Sequence, residues 1–345
     1  MNKRISERMD TFMDVDEPEE TPSGADETRP PGGVARPQPP ENPTEDEADL
    51  GETPPWSAPP FLEADLEEPA KTRPIASKIM EPVSDEEPRL RAAKRCHVGA
   101  RRDRNEDSCL LYVAESGGHF ASLPFGLFIV ADGMGGHSDG HVASNIAMRT
   151  AAAHVLTNIY MPLLQDDNQK AKPPIQEVLE QAVQKANKAV FEHDAEVDSG
   201  TTLTIALVFG RRLHVAHVGD SRLYLLANGR LESITSDHSL VQRLQDVGQL
   251  TAEEATFYRY GHVLLKAVGQ AEEVEADVYM RLLPKSGRLL LCSDGLSGFV
   301  PEAELRAILE QPDAPLQEVA DKLFEAAMEM GGFDNITAVV VDFEM

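Results

Sequence analysis

Three apolar runs in the sequence each stop at an aspartate beside a glycine, and this recurring pattern limits what the chain can fold into. Residues 128–133 and 289–295 end in Asp-Gly, and residues 215–221 end in Gly-Asp-Ser. Such runs predict buried strands that deliver an acid to a loop, where glycine lets the backbone approach a ligand closely. A single Asp-Gly is equally well explained as a turn. Taken together, the strand ends favour a site that contains Asp132, Asp220 and Asp294.

Two loops add further acids to this set. Asp334 precedes Asn335, and Glu106 and Asp107 follow Asn105. Hard divalent cations with octahedral preference take carboxylate and carbonyl oxygens as ligands rather than thiols. One carboxylate can bridge two ions about 3.5 to 4 Å apart, and a water held between such ions becomes a hydroxide nucleophile near neutral pH. The acids therefore favour a metal site whose natural electrophile is a phosphate ester.

Three arginines lie immediately before the acids at 106 and 107. They are Arg101, Arg102 and Arg104. A guanidinium group can hold two phosphate oxygens in a bidentate way. The same cluster is also explained by surface ion pairs with the neighbouring acids, and residue chemistry alone does not choose among the three.

The net charge and the cysteines exclude some functions and indicate a cellular compartment. The net charge of -27 argues against non-specific nucleic-acid binding and against adhesion to anionic membranes. Cys96, Cys109 and Cys292 have no zinc-like spacing, and the last two lie in apolar runs. Buried, reduced thiols and a cytoplasmic location are therefore expected. No segment approaches the roughly 18 apolar residues of a membrane span, so we expect a soluble protein.

Residues 1–90 differ in composition from the rest of the chain. They hold 16 of the 24 prolines and 23 acidic against 9 basic residues. Such a segment buries too little apolar area to offset chain entropy, which predicts a disordered, acidic, proline-rich tail followed by one folded domain over residues 91–345. Trp56 in this tail is explained either as a docking motif for a partner or as incidental. The tail's charge could also repel phosphorylated ligands.

The remaining pattern predicts an α+β domain. Residues 210–212 and 219–221 are short links between consecutive apolar runs, and such links favour antiparallel hairpins over the crossover helices of a parallel sheet. Residues 175–191 carry apolar side chains at helical spacing, whereas residues 161–174 are polar with paired prolines and predict a loop. The sum is two antiparallel sheets with two pairs of helices in layers.

Seven short motifs follow one another between residues 102 and 337. They are RDRNED (102–107), VADGMGGH (130–137), GTT (200–202), HVGDSR (217–222), SDHSLV (236–241), CSDGL (292–296) and GGFDNIT (331–337). In this order they resemble the PP2C (PPM) family of metal-dependent protein serine/threonine phosphatases, in its bacterial branch. The resemblance covers about residues 93–345 and leaves only the tail outside.

The resemblance implies a four-layer α/β/β/α sandwich with a binuclear Mn²⁺ or Mg²⁺ centre between the sheets. By position, Asp132 would bridge the two ions, and the Gly133 carbonyl would bind one of them. Asp294 and Asp334 would complete the other ion's ligands. A third, weaker ion is also implied, held by Asp220 together with Asp294.

The resemblance also assigns supporting roles. Glu106 and Asp107 would support the metals directly or through water, and Arg102 would bind the phosphate because it alone has the family's spacing to Asp107. Residues 245–269 would form a flap that contacts the phosphoprotein. The chain departs from animal members after the first Asp-Gly, where Met134 replaces a histidine proposed as general acid. The nearby His137 and His141 are better explained as ordinary loop and helix-surface residues.

The first functional hypothesis is a cytoplasmic, monomeric phosphatase that removes phosphate from serine and threonine residues of proteins and opposes a bacterial Ser/Thr kinase. Its phosphoprotein substrates would include that kinase. The alternative is a catalytically inactive, phosphatase-like module that recruits partners through its tail, which the complete set of acids disfavours. A third hypothesis is a phosphatase for anti-anti-sigma-type regulators.

Overall fold

The computed structural model describes residues 88–115, 123–135, 139–165, 173–193, 199–255, 258, 260, 263–311 and 314–345. All of them lie in the unit Asp85–Met345. The expectations for Trp56 and His137, and nearly all of the predicted tail, fall outside the described residues. The division at residue 90 therefore stays a prediction.

The strands of the described residues form two antiparallel sheets, as predicted. One has the order β1-β11-β10-β7-β8, and the other has the order β2-β3-β5-β6-β9 with β4 added to β3. Their bounds are β1 Arg89–His97, β2 Asp107–Ala114, β3 Phe125–Gly135, β4 Ser199–Thr201, β5 Leu203–Phe209, β6 Arg212–Val218, β7 Arg222–Ala227, β8 Arg230–Ser233, β9 Asp277–Leu282, β10 Ser286–Cys292 and β11 Ile336–Glu344.

The helices flank these sheets. The predicted loop at residues 161–174 is wrong at its start, which is helical and carries Pro162 in the first turn, where the missing N–H costs nothing. The bounds are α1 Gly140–Val155, a single π turn Leu156–Tyr160, α2 Met161–Leu164, α3 Ile175–His193, α4 Leu240–Asp246, α5 Ala252–Ala255, α6 Asp294–Ser297, α7 Glu302–Leu309 and α8 Leu316–Glu329.

Strand β3 explains why the apolar runs are continuous instead of alternating. Leu127 and Ile129 pack in the cluster that includes α1 and α3, whereas Phe128 and Val130 pack in the cluster between the two sheets. Successive side chains of a strand point to opposite faces, so a strand buried on both faces is apolar throughout. Because α7 and α8 cover the outer face of the other sheet, the predicted α/β/β/α sandwich is confirmed.

The first strand was not predicted. β1 pairs with β11 along its whole length, from Arg89 opposite Glu344 to His97 opposite Ile336. It lies at a sheet edge, and its buried apolar residues are only Leu90 and Ala93. A truncated protein that begins at Arg91, the predicted boundary, would lack the start of this strand. A truncation that keeps the whole strand begins at or before Arg89.

Two further expectations concern the burial of the cysteines and membrane-spanning helices. The cysteines of the sequence are free thiols, but only Cys292 is buried, so the expectation of burial is wrong for Cys96 and Cys109, which are partly exposed. None of the helices in the described ranges is both long and apolar enough to cross a lipid bilayer.

Candidate metal and phosphate site

Asp132 lies where β3 changes its partner strand. From Phe125 to Val130 the strand pairs with β5, and from Gly133 to Gly135 it pairs with β4. Across the other edge, Asp132 is opposite Asp107 of β2. The prediction that the strand ends at Asp132 is therefore wrong, because β4 extends the pairing through Gly135.

The backbone of Asp132 is held by the two threonines that connect β4 and β5. The Thr202 N–H donates to the Asp132 carbonyl at 2.8 Å, and the Asp132 N–H donates to Thr202 Oγ1 at 2.9 Å. Thr201 Oγ1 donates to the same carbonyl at 2.8 Å. These bonds fix the main chain on either side of the side chain, which explains why the Gly-Thr-Thr motif accompanies Asp132.

In the buried carboxylate of Asp107, one oxygen accepts hydrogen bonds and the other has no hydrogen-bond partner. Thr337 Oγ1 and Ser293 Oγ donate to its Oδ2 at 2.6 and 2.8 Å. Its Oδ1 is buried without a hydrogen-bond partner. Burial raises the pKa of Asp107 to about 7 against the opposing effect of the two hydroxyl groups. An orphaned carboxylate oxygen of this kind is suited to a cation or to a cation-bound water.

The acids of the three strand ends influence one another directly. Asp132 and Asp294 lie close enough for their carboxyl groups to shift each other's pKa. Burial raises the pKa of Asp132 well above its usual value, and the charges of Asp107, Asp294 and Asp220 raise it further. Burial, with the charges of Asp294 and Asp237, also raises the pKa of Asp220 to about 8. The structure thus brings these acids together at one end of the sandwich.

Asp334 is close to this group but is paired with an arginine. Arg102 Nη2 donates to its Oδ2 at 2.8 Å, and the Asn335 N–H donates to its Oδ1 at 2.8 Å. Among the three arginines left open by sequence chemistry, Arg102 makes this contact. Arg101 instead stacks on Phe333, with its guanidinium carbon 5.7 Å from the ring centroid. Asp334 would bind a cation, as the sequence predicts, through the lone pairs that these two bonds leave unused.

Asn335 is a positioning residue that sequence reasoning missed. Its Nδ2 donates to the carbonyls of Val98 and Arg104 at 2.9 and 3.0 Å, and its Oδ1 accepts from the Glu106 N–H at 2.7 Å. This single buried amide holds the arginine loop against the loop of Asp334. The only sequence signal for this role is the place of Asn335 in the motif GGFDNIT (331–337), since its hydrogen-bond partners lie 229 to 237 residues earlier in the chain.

Gly133 lies in a space that only glycine can occupy. Its N–H donates to the Glu106 carbonyl at 3.2 Å. A Cβ at this position would overlap the Gly140 carbonyl oxygen and lie 2.6 Å from that of Glu106. Burial raises the pKa of the Glu106 side chain. The Gly133 segment therefore packs directly against the segment that carries Glu106 and Asp107.

The residues present fit a hard divalent cation. Within the described ranges, no three histidine, cysteine, aspartate or glutamate side chains are placed so that they could hold a metal ion as they stand. The donors are nonetheless all oxygens, Asp107 Oδ1 is buried without a partner, and the grouped carboxylates raise one another's pKa. Cation charge would relieve that repulsion, as it does in oxygen-ligand sites generally.

The predicted flap, residues 245–269, is described in part. Gly248 ends α4 with a φ of +71°, and the Thr251 and Glu254 capping box forms as predicted, with the Thr251 N–H donating to Glu254 Oε2 at 2.9 Å. Val268 pairs with Thr201, so the end of this segment is anchored beside Asp132. Its contact with a substrate stays a prediction.

The residues around the missing histidine have structural roles. Met134 pairs with Gly200 across β3 and β4 and is partly buried. His141 lies in the first turn of α1, with its Nδ1 3.4 Å from Arg104 Nη1. It also lowers the pKa of Glu106 through its charge, which places it at the edge of the acidic group.

Comparison with known proteins agrees with this geometry. A family model described as protein phosphatase 2C matches residues 99–329. The serine/threonine phosphatase stp of Listeria innocua is 37% identical over 220 residues, which cover 63% of this chain and 84% of that protein. The crystal structure of the serine/threonine phosphatase PstP/Ppp of Mycobacterium tuberculosis has a TM-score of 0.61 and 38% identity, covering 74% of this chain and 99% of that one. The PstP catalytic domain in complex with two manganese ions has a TM-score of 0.59 and 37% identity, with the same coverage.

Proposed function

The chain belongs to the protein phosphatase 2C family, and from this premise we propose that it hydrolyses phosphoserine and phosphothreonine in proteins with the help of divalent metal ions. The observation that carries the proposal is the grouping of Asp107, Asp132, Asp220 and Asp294, whose pKa values are raised by burial and then by neighbouring charges. The manganese-bound structure of a related phosphatase supports the choice of Mn²⁺ or Mg²⁺.

The sequence motifs supply the proposed ligands. Asp132, the Gly133 carbonyl, Asp294 and Asp334 would hold the two ions. Glu106 and Asp107 would support them, and Asp220 with Asp294 would hold a third ion. When bound, the ions neutralise phosphate charge and lower the pKa of water to supply the nucleophile, so that no phosphoenzyme forms.

Two features of the chain bear on this chemistry. Burial raises the pKa of Asp132 and of Asp294, and bound cations would favour the ionised forms that act as ligands. Arg102 contacts Asp334 through Nη2 at 2.8 Å, and its planar fork has further N–H donors for the phosphate oxygens. Its present partner therefore holds it beside the acids, where a phosphate would meet it.

The physiological counterpart of this activity is a bacterial Ser/Thr kinase, whose products and whose own phosphorylated residues would be substrates. The relatives are named serine/threonine phosphatases, which supports this class of substrate. Profiling against phosphoproteins tests it. Activity confined to one small regulator domain would instead favour the anti-anti-sigma hypothesis.

Metal removal provides the direct test of the proposed function. The full chain, treated with a chelator and then dialysed, should lose hydrolysis of p-nitrophenyl phosphate and of a phosphothreonine peptide, and Mn²⁺ should restore both. Strong activity of the metal-free protein would contradict the proposal. Absence of activity with Mn²⁺, together with retained binding of phosphoproteins, would favour the non-catalytic binding module.

Replacement of Arg102 by lysine should weaken substrate binding. Lysine keeps the charge but loses the bidentate fork, at a cost of about 1.5 to 3 kcal/mol. We expect kcat/KM for a phosphopeptide to fall about 10- to 100-fold, largely through KM. The matched control is Arg104→Lys in the same loop. Because the bidentate phosphate contact is assigned to Arg102, the change at Arg104 should alter kcat/KM by less than about threefold. Equal effects of both changes would argue against a specific role for Arg102.

A further inference from the structure

Two exposed aromatic rings meet beside the candidate site. Phe299 is 40% exposed and Phe333 is 48% exposed. Their ring centroids lie 5.6 Å apart, with an angle of 32° between the ring planes. The guanidinium group of Arg101 lies over the Phe333 ring, 5.7 Å from its centroid. We refer to the side chains of Arg101, Phe299 and Phe333 as the aromatic surface.

Each member of the aromatic surface comes from a segment that also carries a site residue. Arg101 directly precedes Arg102, and Phe333 directly precedes Asp334. Phe299 follows α6, the short helix that begins at Asp294. Because Arg102 and Asp334 are joined at 2.8 Å, the aromatic surface borders the place where the phosphate is expected to bind.

The backbone presents Phe333 in a fixed position. Gly331 and Gly332 have φ values of +117° and +55°, a region that favours glycine. A side chain on Gly331 would collide with the Phe333 ring. The Ala100 N–H donates to the Gly332 carbonyl at 2.8 Å, which ties this turn to the arginine loop. The aromatic surface and the phosphate-binding loop are thus one connected unit.

The chemistry of the aromatic surface differs from that of a scattered exposed apolar residue. Single exposed apolar side chains are normal on folded proteins, but here two rings stack and carry a cation on one face. The chain has a net charge of -27, yet Arg101 and Arg102 place two guanidinium groups at this border, the second of them paired with Asp334. Such a border complements a phosphate dianion, and the adjoining rings complement an apolar group attached to it.

We propose that the aromatic surface binds an apolar side chain next to the phosphorylated serine or threonine of a substrate polypeptide while Arg102 holds the phosphate. The inference rests on the proposed function and specifies its substrate class, namely phosphopeptides with an apolar residue flanking the phosphorylation site. Phe299 and Phe333 are specificity-determining residues in this arrangement.

Matched phosphothreonine peptides test the proposal. Pairs of peptides differ only by leucine or serine directly before, or directly after, the phosphothreonine. With the full chain and Mn²⁺, we expect kcat/KM to be about 5- to 20-fold higher for leucine on at least one side, as partial burial of one apolar side chain permits. Each rate is normalised to that enzyme's hydrolysis of p-nitrophenyl phosphate.

Variants then assign the preference to the aromatic surface. Phe333→Ser and Phe299→Ser should reduce it to twofold or less through KM, and Phe333→Leu should retain most of it. Leu282→Ser changes a residue on β9 that is 67% exposed, and this control should keep the full preference. Thermal unfolding shows that each variant is folded.

The possible outcomes separate the two proposals. If the wild-type chain hydrolyses neither peptide of a pair, the proposed function fails. If it hydrolyses both equally, or if the serine variants keep the preference, the aromatic surface does not select substrates. If Phe333→Ser converts a dimer of the chain into a monomer without changing the preference, the aromatic surface is a contact between copies and the proposal is overturned.

Discussion

Asp132→Asn is expected to abolish metal-dependent phosphatase activity while raising the thermal stability of the metal-free protein. The activity should fall by at least about 10³-fold, since asparagine cannot bridge two cations with a charged group. The stability should rise because burial and the charges of Asp107, Asp294 and Asp220 all disfavour an ionised Asp132. Each pKa unit of such a shift corresponds to about 1.4 kcal/mol. At about 2 to 4 °C per kcal/mol for a domain of this size, the unfolding temperature should increase by a few degrees.

The pH dependence of this stability difference follows from the same shift. A carboxyl group whose pKa is raised in the folded state contributes stability below its unfolded pKa and loses it as the pH rises through the folded value. The ordinary value is 3.8, and burial raises the folded pKa of Asp132 well above it. The gain from Asp132→Asn should therefore vanish below about pH 4 and grow as the pH rises above that value.

The matched control for Asp132→Asn is Asp342→Asn. Asp342 accepts from buried Arg288 at the opposite end of β11, including a bond from Nη2 at 3.1 Å. Its replacement should lower the stability by about 3 kcal/mol because it leaves a buried charge incompletely paired, and it should preserve metal-dependent activity. If Asp132→Asn also lowers the unfolding temperature of the metal-free protein, the grouped acids do not repel one another as inferred.

Gly133→Ala should have the second-largest effect. A Cβ there would overlap the Gly140 carbonyl oxygen and lie 2.6 Å from the Glu106 carbonyl oxygen. Both are backbone atoms, so relief requires movement of the strand that carries Asp132 or of the segment that carries Glu106. Since a displacement of about 1 Å can reduce catalysis about 10²-fold, we expect at least that loss of activity with Mn²⁺, together with a lower unfolding temperature.

Gly135→Ala is the matched control in the same strand. The nearest atoms to a Cβ at Gly135 belong to Ser199 and lie 3.5 Å away, an ordinary contact distance. This variant should keep activity within about twofold of the wild type, given that it creates no overlap. If Gly133→Ala and Gly135→Ala behave alike in both assays, the close approach of Gly133 to Glu106 is not what shapes the site.

Local sequence patterns predicted much of the fold because the spacing of apolar side chains indicates which face of a helix or strand is buried. The apolar runs at β3, β5, β6 and β10 gave their strands, and helical spacing gave α3 to within two residues at its end. β1 escaped because an edge strand with basic residues carries little apolar pattern. The helical turn at Met161–Leu164 escaped because the polar residues and the paired prolines at 173–174 predict a loop over the whole segment, although Pro162 is favoured at the start of a helix.

The sequence by itself determined which residues can carry the chemistry. Acids beside glycines at the ends of apolar runs, and their order along the chain, single out Asp132, Asp220 and Asp294 as candidate ligands without any coordinates. These signals are local, since they depend on strand burial and on the backbone freedom of glycine. They also placed the chain in its phosphatase family.

Only the tertiary structure decided how those residues meet. It selected Arg102 as the partner of Asp334, placed Ser293 and Thr337 on Asp107, and brought Phe299 against Phe333. These contacts join segments far apart in the chain, and a contact between distant segments leaves no periodic trace in either one. The physical reason is that spacing records which face of an element is buried, whereas the partner across that face is set by the packing of the whole sandwich.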